Sequence, residues 1–590
     1  MTLMAKVKKS RKAAPRRRKI QAGQVATGER MRLHSYTLGG LPIINHILRR
    51  MNLEAILRDH LGPDDPRVEV STASALLVLV RNILMSREPI YGVGEWASRH
   101  APELLGLTEK QVGYLNDDRL GRCLDRLFDT MGPKLLLAVV RHVIEEFDVR
   151  LDELHNDSTS LSFYGAYREA SEEKTCRGRK THAVTFGHSK DRRPDLKQVL
   201  YILTISDDGG VPVYFTSASG NVTDDTTHRD TWQLLCELVG STDFLYVADC
   251  KLATTDNMDH IARRGGRFVT VLPRTRREDT DFRRRIRDAS QSVTWQPLYA
   301  ATDKQGEVVD KLSSTQEAHT SAEGYRLFWF HSTRKAELDV AARSRRTQRA
   351  LAELSLLADR LAGKRTRFRD RAKVEKGVRE IIEQFDVEGW VAVTIHENEE
   401  LTLHQAGPGR PSKDTKYVKK VKMRYRLTWQ VDAAQLIDES ATDGVFPLIT
   451  NVRDMDAEAV LRAYKRQPVI EKRFSQLKTD FEVAPVYLKE VSRIQSLLCV
   501  YFLVLLVQSL LERELRQSME RSGIKNLPLY PEDRPCCRPT TRRVLDLFEP
   551  LERHELTLPD GSHEHLSPKL TPLQRQLLRL LYVPTSRYAQ

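Results

Sequence analysis

Apolar side chains recur at helical spacing in the N-terminal part of the chain, between residues 36 and 147. Ser71 is well placed to cap one of these helices, and Asp117 or Asp118 to cap a later one. The pattern therefore predicts a helical region over residues 34–148. Its first two apolar stripes are Ile43, Ile44, Ile47, Leu48 and Met51, followed by Leu53, Ile56, Leu57 and Leu61.

The period changes at about Val149, where strand-forming residues begin. Asp157 lies within the first predicted strand, and Asp249 directly follows a later apolar strand. The residues 207–210, Asp-Asp-Gly-Gly, predict a tight hairpin between the second and third strands. The order is three strands, helix, strand, helix, strand, which predicts an antiparallel meander extended by a parallel strand–helix–strand unit. The predicted strands are 149–165, 199–205, 211–217, 244–248 and 268–272.

The interval after Asp249 is far longer than this arrangement needs, so we predict an insertion over residues 274–445. The insertion combines long helices with strands, and it either contacts a partner or serves as a structural spacer. A final strand at 446–450 is predicted to lead into the next helix. Within the insertion, a helical stretch is predicted at 333–385 and strands at 390–395 and 425–430.

The stretch 464–478 resembles the start of a basic helix that carries one carboxylate. Pro468 suits a first helical turn, because its missing N–H would have no partner there. Glu471 and Lys478 are seven residues apart and therefore lie close to one face of this helix. A carboxylate among basic residues suggests a site that holds a metal cation against a phosphate. The alternative is a solvated amphipathic helix.

One uninterrupted apolar run, residues 497–507, could be mistaken for a membrane segment. It is shorter than the roughly 20 apolar residues that a spanning helix needs. Arg493 borders it on one side, and Glu512 and Arg513 on the other. We therefore expect a buried core helix within a helical C-terminal region, 486–590, and no membrane partner. A membrane-anchored protein is the alternative.

The charge of the chain favours a polyanionic partner. Its 590 residues carry a formal net charge of +14. Nine Lys and Arg residues lie between Lys6 and Lys19, where there is no acid. We expect the tail of residues 1–33 to be disordered and to contact the DNA backbone non-specifically, or to be solvated without such a role. The seven cysteines include no C-x-x-C pair, which argues against a zinc site, and their odd number favours a reducing compartment.

The stretch 464–478 also resembles the signature of the DDE transposases of the insertion-sequence-four type, which reads Tyr-x2-Arg-x3-Glu-x6-Lys. Tyr464, Glu471 and Lys478 match at the expected spacings, whereas Gln467 stands at the Arg position. The resemblance implies an α/β fold with a ribonuclease H-like catalytic core. The insertion would divide this core into residues 149–273 and 446–485, and helical regions would flank it. The N-terminal helical region would help to bind DNA.

Enzymes of this type cut and join DNA at the ends of a mobile element with three carboxylates. The resemblance assigns this role to Asp157, Asp249 and Glu471, with Asp152 as a competitor for Asp157. Three hard oxygen ligands suit Mg²⁺ or Mn²⁺, as two ions. The implied protein is a bacterial, cytoplasmic, nucleoid-associated transposase with endonuclease and strand-transfer activity. It would bind terminal inverted repeats and target DNA as a homodimer. A transposase-derived protein that binds DNA without cutting it is the alternative.

Several side chains of the signature stretch are expected to contact DNA. We expect Arg466 to reach the phosphate that the signature Arg would hold, and Gln467 to be a weaker neutral donor or to face solvent. The reason is Pro468, which disfavours helical geometry in the residue before it, so that both side chains would lie in the entry to the helix. His155 and His188 are interpreted as ordinary strand or loop residues. The expected DNA-binding residues are Tyr464, Arg466, Gln467, Lys472, Arg473 and Lys478.

Overall fold

A computed structural model of the protein describes residues 31–589, with the exception of 169, 192, 289–292, 304–305, 364–365, 409, 412, 414–415, 482–487 and 559–561. Residues 1–30 of the predicted basic tail fall outside this range. The first strand begins at Arg32, so the boundary predicted at residue 33 lies inside an ordered element.

Helices form where apolar residues recur at helical spacing, and many begin at residues suited to capping. The side chain of Ser71 accepts a hydrogen bond from a backbone N–H of its helix, as predicted. Asp117 and Asp118 instead lie inside their helix, which Asn116 caps by accepting a backbone N–H at 2.8 Å. The α-helices are, in chain order, α1 (Leu41–Arg50), α2 (Leu53–Leu61), α3 (Thr72–Met85), α4 (Val93–Ser98), α5 (Glu109–Val112), α6 (Asp117–Thr130), α7 (Pro133–Phe147), α8 (His228–Val239), α9 (Thr255–Arg263), α10 (Arg277–Arg287), α11 (Thr333–Ala362), α12 (Arg371–Phe385), α13 (Ala433–Ser440), α14 (Ala457–Lys465), α15 (Pro468–Ser475), α16 (Val491–Arg521), α17 (Thr541–Phe548) and α18 (Pro572–Leu580).

Strands form at the alternating and the fully apolar stretches of the sequence. They are, in chain order, β1 (Arg32–Thr37), β2 (Glu153–Phe163), β3 (Thr175–Cys176), β4 (Arg179–Lys180), β5 (Lys197–Ser206), β6 (Pro212–Ser219), β7 (Leu245–Ala248), β8 (Arg267–Val271), β9 (Trp295–Thr302), β10 (Val308–Thr315), β11 (His319–Thr320), β12 (Arg326–Ser332), β13 (Val391–Gln405), β14 (Tyr417–Val431), β15 (Val445–Thr450), β16 (Glu552–Thr557) and β17 (His563–Leu566).

A mixed sheet of ten strands forms the centre of the α/β fold. Its order is β6-β5-β2-β7-β8-β15-β12-β10-β9, with β11 beside β12. β2, β5 and β6 form an antiparallel meander, and β7 and β8 follow β2 in parallel. The predicted meander with its parallel extension is therefore confirmed.

The region predicted as an insertion contributes to this sheet and also forms a separate layer. β9, β10 and β12 extend the sheet beyond β15, and the sequence pattern had not indicated these three strands. The predicted helical stretch is two helices, α11 and α12, which pack on the long hairpin β13–β14. The shared apolar cluster contains Leu357, Leu361, Val374, Tyr425 and Leu427.

Two compact units are formed from non-contiguous segments of the chain. One unit contains the residues up to Ile47, then 66–120 and 514–590, and the other contains 48–65 and 121–513. In the first unit, β1 pairs with β16, which pairs with β17. The C-terminal region therefore contains strands as well as the helices that were predicted.

The apolar run 497–507 lies within α16. This helix is long and apolar enough to span a membrane by length and composition, but its most apolar window is entirely buried inside the protein. The expectation of a buried core helix is confirmed for this segment.

Candidate active site

Strand β2 presents Asp157 at an otherwise buried position of the sheet. All residues from Glu153 to Leu161 are buried except Asp157, which is half-buried. The backbone N–H of Ser158 donates to Asp157 Oδ1 at 2.7 Å and fixes the carboxylate. The competitor Asp152 lies before the strand begins and is exposed.

Asp249 reaches the same edge of the sheet from the neighbouring strand. β7 runs parallel to β2, and Ala248 is the register partner of Asn156. Asp157 and Asp249 each follow these partners by one residue, so they occupy adjacent positions where β7 ends. Asp249 also caps the next turn, because its Oδ1 accepts the N–H of Lys251 at 3.0 Å.

Glu471 lies in the first turn of α15 and is exposed. α14 leads almost directly into α15, because Arg466 and Gln467 both have right-handed helical dihedral angles. The expectation that Pro468 would place these two residues outside helical geometry is therefore wrong. Tertiary contacts outweigh the local preference against helical geometry before proline.

Gln467 and Arg466 attach this helical junction to β2. Gln467 is 7% exposed, and its Nε2 donates to the carbonyl of Asn156 at 3.0 Å. Its Oε1 lies 2.8 Å from Nδ1 of His155, whose Nε2 lies 2.8 Å from Glu153 Oε1. Arg466 donates to the same carboxylate, with Nε 2.6 Å from Glu153 Oε1. The expectation that Gln467 faces solvent or donates to DNA is wrong, because the oxygen and the nitrogen of its side-chain amide both form hydrogen bonds within the protein.

Arg473 was expected to contact DNA, and its surroundings contradict this. It is 2% exposed, and its Nη1 lies 3.0 Å from Glu512 Oε2. Its Nε and Nη2 donate to the carbonyls of Gly210 and Gly209 at 2.9 and 2.8 Å. The guanidinium therefore joins α15 to the β5–β6 turn and to α16, and no face of it is left for a phosphate.

The connector between β4 and β5 links the carboxylate strand to the signature helix. Lys190 Nζ lies 3.4 Å from Asp157 Oδ1 and donates to the carbonyl of Ser158 at 2.6 Å. The next residue, Asp191, accepts from Lys478 Nζ at 2.6 Å. Lys478 is thus neutralised within the protein, whereas Lys472 is exposed beside Glu471.

The surroundings of Asp157 raise the pKa of its carboxyl group. Burial raises the pKa of the Asp157 carboxyl to about 6. The negative charge of Asp249 adds to this rise, while Lys190 and the N–H of Ser158 oppose it. Asp157 and Asp249 therefore interact electrostatically in a poorly solvated part of the site.

Tyr464 is surrounded by the same acids. Burial is the largest cause that raises the pKa of its hydroxyl to about 12, and neighbouring negative charges add to it. The negative charges of all three predicted catalytic carboxylates thus raise the pKa of one hydroxyl group. The contributing groups are, in decreasing order, Asp249, Cys250, Glu471 and Asp157.

The three carboxylates fit a divalent cation by their chemistry. Carboxylate oxygens are the ligands that Mg²⁺ and Mn²⁺ prefer, and a cation would relieve the repulsion at Asp157. In the part of the chain that the structure describes, however, no three His, Cys, Asp or Glu side chains stand as a group that could hold a metal ion. The side chains of Asp157, Asp249 and Glu471 would have to move closer together to share one.

Glu153, His155 and Lys190 were not identified from the sequence as part of the site. Glu153, His155 and Asp157 are alternate residues of one strand and therefore share a face, which was an available signal. Lys190 was recognisable only as one residue of a polar connector. Its position beside Asp157 depends on how that connector folds back along β2.

A known protein family matches the N-terminal region of the chain. Residues 33–141 match the family described as "Domain of unknown function (DUF4277)". No curated protein matches the chain. Among solved structures, the chain is similar to the piggyBac transposase in a cryo-EM synaptic complex with hairpin DNA. The identity is 13%, the match covers 49% of this chain and 58% of that one, and the TM-score is 0.24. A likeness at this level does not establish a shared fold.

Proposed function

We propose that the protein is a DNA transposase that uses Asp157, Asp249 and Glu471 to cut and join DNA. One observation carries this proposal. Asp157 and Asp249 occupy adjacent positions on two parallel strands, and the helix of Glu471 is bonded to Asn156, the residue before Asp157. Three carboxylates from distant parts of the sequence are thus directed to one region.

The strand order supports assigning the core to the ribonuclease H-like type. A three-stranded meander comes first, and two parallel strands follow beside its first strand. In the resembling transposases this arrangement carries the two aspartates on its first and fourth strands. The same two positions hold Asp157 and Asp249 here.

The proposed chemistry needs no covalent protein intermediate. Bound Mg²⁺ or Mn²⁺ would supply activation of the attacking oxygen and stabilisation of the leaving oxygen. The carboxylates of Asp157, Asp249 and Glu471 would hold these ions, and Lys472 would contact a phosphate. Water first breaks the phosphodiester at the element end and releases a 3′-hydroxyl. That hydroxyl then attacks a phosphodiester of target DNA and displaces its 3′-oxygen.

The test requires the DNA that flanks the coding region, where inverted repeats should be found. Full-length protein would be incubated with Mg²⁺, a labelled repeat end and a plasmid target. We expect cuts that leave 3′-hydroxyl ends, followed by joined products. Specific binding without cutting would support the non-cleaving DNA-binding alternative. Neither binding nor cutting of any candidate end would refute the transposase assignment.

A further inference from the structure

Gln467 occupies the position at which the signature has Arg, yet its surroundings exclude the role of a phosphate ligand. The side chain is buried between the α14–α15 junction and β2. Its amide Nε2 donates to the carbonyl of Asn156, and its Oε1 meets His155. DNA cannot reach either end of this amide without breaking these bonds.

The hydrogen bonds fix the orientation of the Gln467 amide. Turning the amide over would place its oxygen against the carbonyl oxygen of Asn156, so Nε2 must face that carbonyl. The oxygen Oε1 then accepts from His155 Nδ1, and His155 Nε2 lies 2.8 Å from Glu153 Oε1. His155 thus bridges Gln467 and Glu153.

These contacts hold the signature helix against the strand next to Asp157. Gln467 lies one helical turn before Glu471, and the residue it binds, Asn156, is directly before Asp157. Arg466 adds a second attachment through Glu153. A shift of the helix along β2 would break both attachments.

We propose that Gln467 is a positioning residue that sets the separation of Glu471 from Asp157. This inference rests on the proposed function, in which these two carboxylates share a metal ion. An Arg at 467 would offer no acceptor to Nδ1 of His155 and would bring a second guanidinium beside Arg466. Gln467→Arg should therefore impair the site, although it restores the residue of the signature.

The test compares full-length variants by two measurements that do not depend on DNA cleavage. Gln467→Met keeps the length of the side chain and removes both hydrogen bonds. Gln574→Met is the matched control, because Gln574 is also buried but bonds to Thr571 and Leu547 instead. Mn²⁺ affinity is measured by electron paramagnetic resonance, and amide hydrogen exchange is followed by mass spectrometry in the peptide 466–475.

We expect Gln467→Met to weaken Mn²⁺ binding by about tenfold or more, the usual effect of losing a group that orients metal ligands. Amide exchange in α15 should become faster in the same variant. Gln467→Arg should lose at least as much Mn²⁺ affinity. In Gln574→Met, Mn²⁺ affinity should stay close to that of the wild type, even where thermal stability falls equally.

Equal losses of Mn²⁺ affinity in the two Met variants would overturn the proposal, as would wild-type or higher affinity in Gln467→Arg. Asp157→Asn and Glu471→Gln separate this failure from failure of the proposed function. If neither changes Mn²⁺ binding, the proposed metal site is wrong. Amide exchange then decides the positioning role alone, and unchanged exchange in α15 of Gln467→Met would reject it.

Discussion

At the scale of single residues, the site keeps a carboxylate where its charge is unfavourable. Asp157 is half-buried beside Asp249, and its pKa is raised to about 6. Lys190 offsets only part of this cost. Such an arrangement opposes stability and is typical of functional rather than structural carboxylates.

This cost predicts a dependence of stability on pH. The folded state retains the Asp157 proton up to about pH 6, while the unfolded chain loses it near 3.8, so ionisation progressively destabilises the fold across that window. Above it the penalty is complete, at most about 3 kcal/mol. Asp157→Asn should therefore raise the thermal midpoint more at pH 7.5 than at pH 4.5. An equal or smaller gain at pH 7.5 would contradict the raised pKa.

The sequence predicted individual site residues well where local pattern decides their position. Asp249 follows a short apolar strand, so its place at the strand end could be predicted. Gln467 and Arg473 could not be assigned in this way. The partner of Gln467 lies 312 positions away at His155, and Arg473 is neutralised by Glu512 on another helix.

At the scale of elements, a tight turn and a buried ion pair hold α15 in place. The β5–β6 turn approaches so closely that a Cβ on Gly210 would lie 2.6 Å from Val469 Cγ1. Arg473 binds the carbonyls of this turn and the carboxylate of Glu512, which is buried and also accepts from Gln476. All of these groups are paired, which makes the network sensitive to the removal of one member.

Glu512→Ala should therefore be strongly destabilising, because it leaves the Arg473 guanidinium buried without its counter-ion. We expect the free energy of unfolding to fall by about 3–5 kcal/mol, measured by urea denaturation. Glu458→Ala is the control, since Glu458 pairs with Arg462 on the exposed side of α14 and should cost less than about 1 kcal/mol. Equal effects of the two variants would show that the buried pair does not hold α15.

Elements were predictable where periodicity is strong and less so at the edge of the sheet. β2, β5, β6 and β7 were predicted because they are rich in strand-forming residues, most of which are buried. β9 was missed, since it is an edge strand whose side chains are largely exposed and give no clear alternation. Its formation depends on pairing with β10.

At the scale of the whole molecule, the positive charge of the chain is expected to set its affinity for DNA. Removal of residues 1–30, which leaves β1 intact, deletes the basic run between Lys6 and Lys19. Affinity should fall about equally for repeat and unrelated DNA. The slope of log affinity against log salt should flatten by about 0.9 for each phosphate that the tail no longer neutralises. A selective loss of affinity for the repeat would instead make the tail a specificity element.

Only part of the organisation of the whole molecule could be predicted from the sequence. The meander and its parallel extension follow from the order of local elements. The pairing of β1 with β16 does not, because Ser35 and His554 are 519 positions apart and both strands are short. Long-range pairing of this kind leaves no local periodic signal that could be recognised.

The most direct test of the account is DNA cleavage by single carboxylate variants in Mg²⁺. Asp157→Asn, Asp249→Asn and Glu471→Gln each remove one negative charge with little change in shape, and Asp152→Asn is the control for a neighbouring exposed acid. We predict that each of the first three cleaves a labelled repeat end slower by orders of magnitude while binding it normally, and that Asp152→Asn cleaves like the wild type. Near wild-type cleavage by any of the three, or loss of cleavage in Asp152→Asn, would contradict the assignment of these carboxylates.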